Sequence, residues 1–217
     1  MTDSSPTHWD RARNHYLYDP GSNEIRVYRN VDAWTVTGPE AASYVRSHLI
    51  GAARNDHPSV LCLYEKTGRH PFMLLRSLLP YLTWAAELYR PRGTEPDQAV
   101  AFATRYMSQY VPVMRDVYTV YRHGLMHRHF PNCNVEVEGD AIRLIAWQIT
   151  ARRSAHLKVT EIAATAQDGG EPIPAKVIPL VPAILYEDLI VALEQYATDL
   201  ENDPELMRNF LTAFRRL

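Results

Sequence analysis

The chain has 217 residues, a formal net charge of −2, 46% hydrophobic residues and 22% charged residues. That length can bury a proper core, and the composition is neither that of a disordered chain nor that of a membrane-embedded one. A net charge so close to zero argues against coating nucleic acid by bulk electrostatics.

The charge is unevenly placed. Residues 101–160 carry 8 basic and 4 acidic side chains, whereas residues 161–217 carry 4 and 10. A local cationic site therefore fits a nearly neutral protein, and so does uneven surface decoration. The longest apolar stretch, Val177 to Tyr186, is cut by Pro179 and Pro182 and is too short for a bilayer. The first residues, Met1 to Pro6, lack the basic and apolar regions of a signal peptide. Cys62 and Cys133 offer no disulfide framework. A cytoplasmic protein without a membrane partner is the expectation.

In chain order, the first 20 residues read as an irregular lead-in around Trp9 and Tyr16. Ile25–Tyr28 and Trp34–Thr37 show the weak alternation of short strands. Gly38-Pro39-Glu40 opens a helix running to about Ala53, and His57-Pro58 and Gly68 punctuate the next stretch. From Pro71 to about Tyr89 the helical signal is strong, with Phe72, Leu75, Leu79, Leu82, Ala86 and Tyr89 forming one stripe. Thr94 followed by Asp97 resembles a capping box. The next helix carries Val100, Ala103, Met107, Tyr110, Met114, Val117 and Tyr121 on one face for about seven turns, with a bend at Pro112. Two such helices joined by a tight connection make an antiparallel pair, the nucleus of a bundle.

After Pro131 the period changes. Asn134–Glu138 and Ala141–Ile149, turning at Gly139-Asp140, predict a β-hairpin. His156–Ile162 and Ala175–Leu180, joined through Asp168-Gly169-Gly170, predict a second strand pair. Helix returns at about Ala183, with Leu185, Leu189, Leu193, Tyr196 and Leu200 on one face, and Asp203-Pro204 starts a last one. One domain spanning 1–217, mainly α with an inserted β region at about 134–180, accommodates this order.

The segment most suited to chemistry is Tyr121-Arg122-His123-Gly124-Leu125-Met126-His127. His123 and His127 are four apart, so on a helix both imidazoles leave one face. Histidine can take or give a proton near neutral pH, and arginine's planar cation fits phosphate oxygens. Such a set suits metal-free cleavage of RNA, and two copies across a dimer would supply both an acid and a base. The structural alternative is an arginine and a histidine stabilising a helix C-terminus. A metal site from His123, His127, His129 and Cys133 is a further alternative, disfavoured by the absence of a glutamate between the histidines and by Arg122 and Arg128 nearby.

Arg122 and His127, with His123 directly after the arginine, resemble the Arg-x4–6-His motif of the HEPN superfamily. The resemblance covers roughly residues 70–130. It implies an antiparallel helical bundle and, as in many members, a metal-independent endoribonuclease without cofactor, working as a homodimer with the motif at the interface. By this resemblance Arg122, His127 and His123 would be catalytic. Arg115, Tyr121 and Arg128 are candidate contacts to RNA, and an antitoxin or another protein of a defence system is a candidate partner. Inactive relatives imply the alternative of a non-catalytic helical module that binds a partner protein or a nucleotide. Other basic and aromatic candidates, Arg152, Arg153 and Lys158 and the tyrosines 106, 110, 118 and 121, fit a solvated face and core packing respectively.

Overall fold

A computed structural model of the chain describes residues 14–19, 23–29, 36–125, 133–138, 141–165 and 170–215. The lead-in departs from expectation, because Asn14–Asp19 (β1) pairs antiparallel with Glu24–Arg29 (β2) in a hairpin, Asn14 opposite Arg29 and Asp19 opposite Glu24. Trp34 and Thr35 lie outside the described residues. Thr37 is a helix cap rather than part of a strand: its Oγ1 accepts from the Glu40 amide at 3.4 Å while the Glu40 carboxylate accepts from the Thr37 amide at 2.8 Å. This reciprocal box opens Gly38–Tyr44 (α1). Gly38 is required there, since a Cβ would come within 2.7 Å of the carbonyl oxygens of Leu200 and Glu201.

The chain stays helical well past Ala53. A π-helical turn, Val45–Ile50, joins α1 to Gly51–Thr67 (α2), which runs through His57 and Pro58 and ends at Gly68 with φ 66°. Pro71–Tyr89 (α3) begins and ends where the periodicity predicts. It buries a wider arc than one stripe, with Leu74, Leu78 and Ala85 joining Leu75, Leu79, Leu82 and Ala86. Thr94 caps Glu95–Tyr106 (α4), which packs on α3. The expected seven-turn helix then breaks: Met107 (φ −139°, ψ 55°) leaves the helical region, and Ser108–Tyr110 is a short 3-10 turn. Helix resumes as Met114–Val117 (α5) and opens into a second π turn, Tyr118–His123.

Both expected strand pairs form, with an additional link between them. Asn134–Glu138 (β3) is antiparallel to Ala141–Ile149 (β4), and Thr160–Ala164 (β5) is antiparallel to Ile173–Leu180 (β6). His156, expected on a strand, instead follows a 3-10 turn, Arg153–Ala155. β4 and β6 pair in parallel, Trp147 beside Ile178, giving the sheet order β3-β4-β6-β5. Ile145, Ile178 and Leu180 are buried in the core with Trp147 and Ile149 packed against it, while Val135, Val137, Ile142 and Ile162 lie exposed. Pro182–Leu200 (α6) and Pro204–Phe214 (α7) close the fold, α7 capped by Asp203 at 2.9 and 3.1 Å. The chain is thus mainly helical with a small sheet, and no helix among the described residues is long and apolar enough to cross a membrane.

Candidate functional site

The π turn Tyr118–His123 decides what the chain's most informative segment can do. It sends Tyr118, Val120 and Tyr121 into the core and leaves Arg122 half-buried. The Arg122 guanidinium turns toward α3, where its Nε donates to Thr83 Oγ1 at 3.1 Å. Thr83 Oγ1 lies 3.1 Å from the Tyr118 hydroxyl and 3.2 Å from the carbonyl of Leu79. Tyr118 in turn donates to Glu95 Oε2 at 2.6 Å. A ladder therefore runs from Arg122 through Thr83 and Tyr118 to the first turn of α4. Burial, then the hydrogen bond to Glu95, push the Tyr118 phenol up, and the charge of Arg122 opposes them. Tyr118 consequently stays a neutral donor at any physiological pH.

The ladder uses one of the five N–H bonds of the guanidinium. Among the described residues no carboxylate forms an ion pair with Arg122, in contrast to Arg105, Arg115 and Arg153. The terminal nitrogens keep the geometry for a two-point bond to a phosphate or carboxylate.

Tyr121 cannot serve as a stacking platform for a base, because it is 0% exposed. Its hydroxyl sits between β4 and β6, donating toward the carbonyls of Ile178 at 2.6 Å and Gln148 at 3.0 Å, and accepting from the Gln148 amide at 3.2 Å. The hydroxyl thus bridges the facing backbones of Gln148 and Ile178, and its role is to fasten the helices to the sheet. Burial accordingly pushes its phenol up.

Arg115 is well exposed and ion-paired with Asp97 on α4. An RNA phosphate would have to compete with that carboxylate. The backbone of His123 belongs to the π turn; its side chain, like His127, Arg128 and His129, lies outside the described residues. Cys133 is exposed, and among the described residues no group of three histidine, cysteine, aspartate or glutamate side chains could hold a metal. Of the other candidates, Tyr106, Tyr110 and Tyr118 are buried, Arg152 and Lys158 are exposed, and Arg153 is paired with Glu187.

The residues that hold Arg122 were not visible as candidates in the sequence. Thr83 sits inside an apolar helix and Glu95 at an ordinary helix start, and their partners lie 39 and 23 residues away. The only local signal is the four-residue step from Tyr118 to Arg122. No family model matches the chain, and no curated protein and no solved structure is significantly similar to it.

Proposed function

We propose that the protein is a metal-independent endoribonuclease of the HEPN type, working as a homodimer with its site at the interface, with Arg122 as the phosphate-binding group and His127 and His123 as the proton-transfer groups. The reaction is attack of a ribose 2′-hydroxyl on the adjacent phosphorus. A histidine takes the 2′-hydroxyl proton as the O2′–P bond forms. The P–O5′ bond breaks, and a second imidazole gives a proton to O5′, leaving a 2′,3′-cyclic phosphate and a 5′-hydroxyl. Arg122 stabilises the charge that builds on the non-bridging oxygens.

The supporting observation is the way the guanidinium is held. Its Nε is anchored to Thr83 at 3.1 Å and its other donors meet no described carboxylate, so the cation is oriented in advance yet available. A purely structural arginine is better satisfied by an acidic partner, as Arg105 is by Asp199 at 2.8 Å.

The test is cleavage of end-labelled single-stranded RNA in EDTA by the wild type, Arg122→Ala and His127→Ala. The expected result is cleavage by the wild type with cyclic phosphate ends, and a loss of about 100-fold or more in each variant, the scale of removing one preorganised charge-stabilising group. No cleavage by the wild type would replace the nuclease with a non-catalytic binding module. Cleavage abolished by EDTA would point to a metal enzyme.

A further inference from the structure

A second polar cluster lies at the start of α6 and has no part in the proposed reaction. His156, just after the Arg153–Ala155 turn, accepts from the amide of Val181 on Nδ1 at 3.0 Å and lies 2.8 Å from the Tyr110 hydroxyl on Nε2. Tyr110, fully buried, donates to Asp188 Oδ2 at 2.9 Å. The directions are fixed by elimination. Val181 can only donate, so Nδ1 carries no proton, and the phenol's single proton goes to Asp188, so Nε2 must donate to the phenol oxygen. Only the neutral Nε2–H tautomer satisfies the cluster. Val181 is the N-cap of α6, so the imidazole takes the part of the N3 side chain in a capping box and accepts from the N-cap's own amide.

We propose that His156 is a proton-operated latch that fastens the segment 153–159 to the start of α6 and releases it when Nδ1 is protonated. A proton on Nδ1 would face the Val181 N–H, donor against donor, and the bond would have to break. The backbone beside it is already under strain, since Leu157 holds a φ of +54° while its amide donates to Pro179 O at 2.9 Å. Opening relaxes that residue.

The groups acting on the imidazole are few. Burial and the positive charge of Arg153 oppose protonation, and Asp188 on α6 favours it. Arg153 is itself held by Glu187 on α6 and feels Glu65 on α2, so the same segment has a second, charge-based hold that lowering the pH weakens only when Glu187 protonates. That carboxyl is kept below its ordinary value by its hydrogen bond and charge pairing with Arg153, so this second hold gives way only in acid.

The experiment is amide hydrogen exchange of the intact protein at pH 7.5 and pH 5.5, corrected for the pH dependence of chemical exchange. An open segment whose histidine has an ordinary pKa should be favoured by about tenfold on that descent. Exchange at 153–159 and at the Val181 amide is expected to rise by that factor in the wild type, with α3 unchanged. His156→Gln, which takes up no proton in this range, is expected to show no pH dependence there. The His156 imidazole resonance of the wild type gives a reading that needs no variant to fold: it is expected to titrate below the ordinary histidine range. The latch is overturned by equal exchange at both pH values in the wild type, by a pH dependence that persists in His156→Gln, or by an imidazole that titrates at its ordinary value.

Discussion

Two of the polar clusters that link distant parts of this chain are built on opposite plans. In the Tyr110–His156–Asp188 cluster the imidazole has both ring nitrogens engaged and the phenol is both donor and acceptor, each inside the protein. In the Arg122–Thr83–Tyr118–Glu95 ladder the bonds among the described residues reach one nitrogen of the guanidinium. A cluster with every position filled is a fastening, whose loss is read as stability. A cluster anchored at one end and open at the other suits a ligand, and its loss should be read as activity with stability nearly intact.

The largest stability effect should come from the closed cluster. Tyr110→Phe leaves His156 Nε2–H and the Asp188 carboxylate without their shared partner in a buried site, and is expected to cost about 2–3 kcal/mol. Urea unfolding should show a lower midpoint at an unchanged slope. Tyr121→Phe is the companion case. It strips the hydroxyl that joins the Gln148 and Ile178 backbones, and a loss of about 1–3 kcal/mol is expected by the same measurement. RNA affinity, if tested at a temperature where both proteins are folded, should be unchanged, because the ring is sealed.

A smaller effect comes from pH. His57, buried against Tyr81 with Nδ1 3.2 Å from Ser77 Oγ, and His156 are both held below the ordinary histidine value, chiefly by burial. A depressed histidine binds fewer protons folded than unfolded. Stability from this source is therefore complete above about pH 6.5 and falls as pH drops below it, by at most about 1.4 kcal/mol per pH unit per histidine. Urea midpoints at pH 7.5 and 5.5 should show the fall, and His156→Gln should remove part of it.

The smallest stability effect belongs to the open ladder. Thr83→Val keeps the shape of the side chain but deletes the oxygen that receives Arg122 Nε. A net change of about 1 kcal/mol is expected although that oxygen also meets the Tyr118 hydroxyl and the Leu79 carbonyl, because the site is only half-buried and water can replace the lost partner. Single-turnover RNA cleavage should slow by about tenfold or more through misplacement of the guanidinium, and Thr83→Ser should restore most of it. Thr83→Val with full activity would erase the distinction between the two clusters.

Much of the fold could be read from the residues where local chemistry decides the outcome. The start of α3 at Pro71, the caps at Thr94 and Asp203 and both antiparallel strand pairs arise from short-range patterns. The break at Met107 could not, because Met107, Tyr110, Met114, Val117 and Tyr121 keep a three-or-four spacing that α, 3-10 and π turns satisfy alike. The parallel β4–β6 pairing is a long-range choice that leaves no local mark. At the candidate site the same division holds. Arg122 stands out because its chemistry is in its own side chain, whereas Thr83 acquires a role only from an arginine brought to it by packing. Tyr121 reads both as a candidate contact to RNA and as the end of an apolar stripe, and its burial against β4 and β6 agrees with the stripe.

Arg122→Lys separates a guanidinium held through Nε so that its other nitrogens can grip a phosphate from one that serves only the fold. Lysine keeps the charge but loses the planar fork. Single-turnover RNA cleavage in EDTA, with the melting temperature measured on the same samples, should show a rate reduced by about 100-fold and a melting temperature within about 4 °C of the wild type, the shift of a loss near 1 kcal/mol in a chain this long. An unchanged cleavage rate, or a melting temperature that collapses along with the rate, would show that the guanidinium serves the fold and not the RNA.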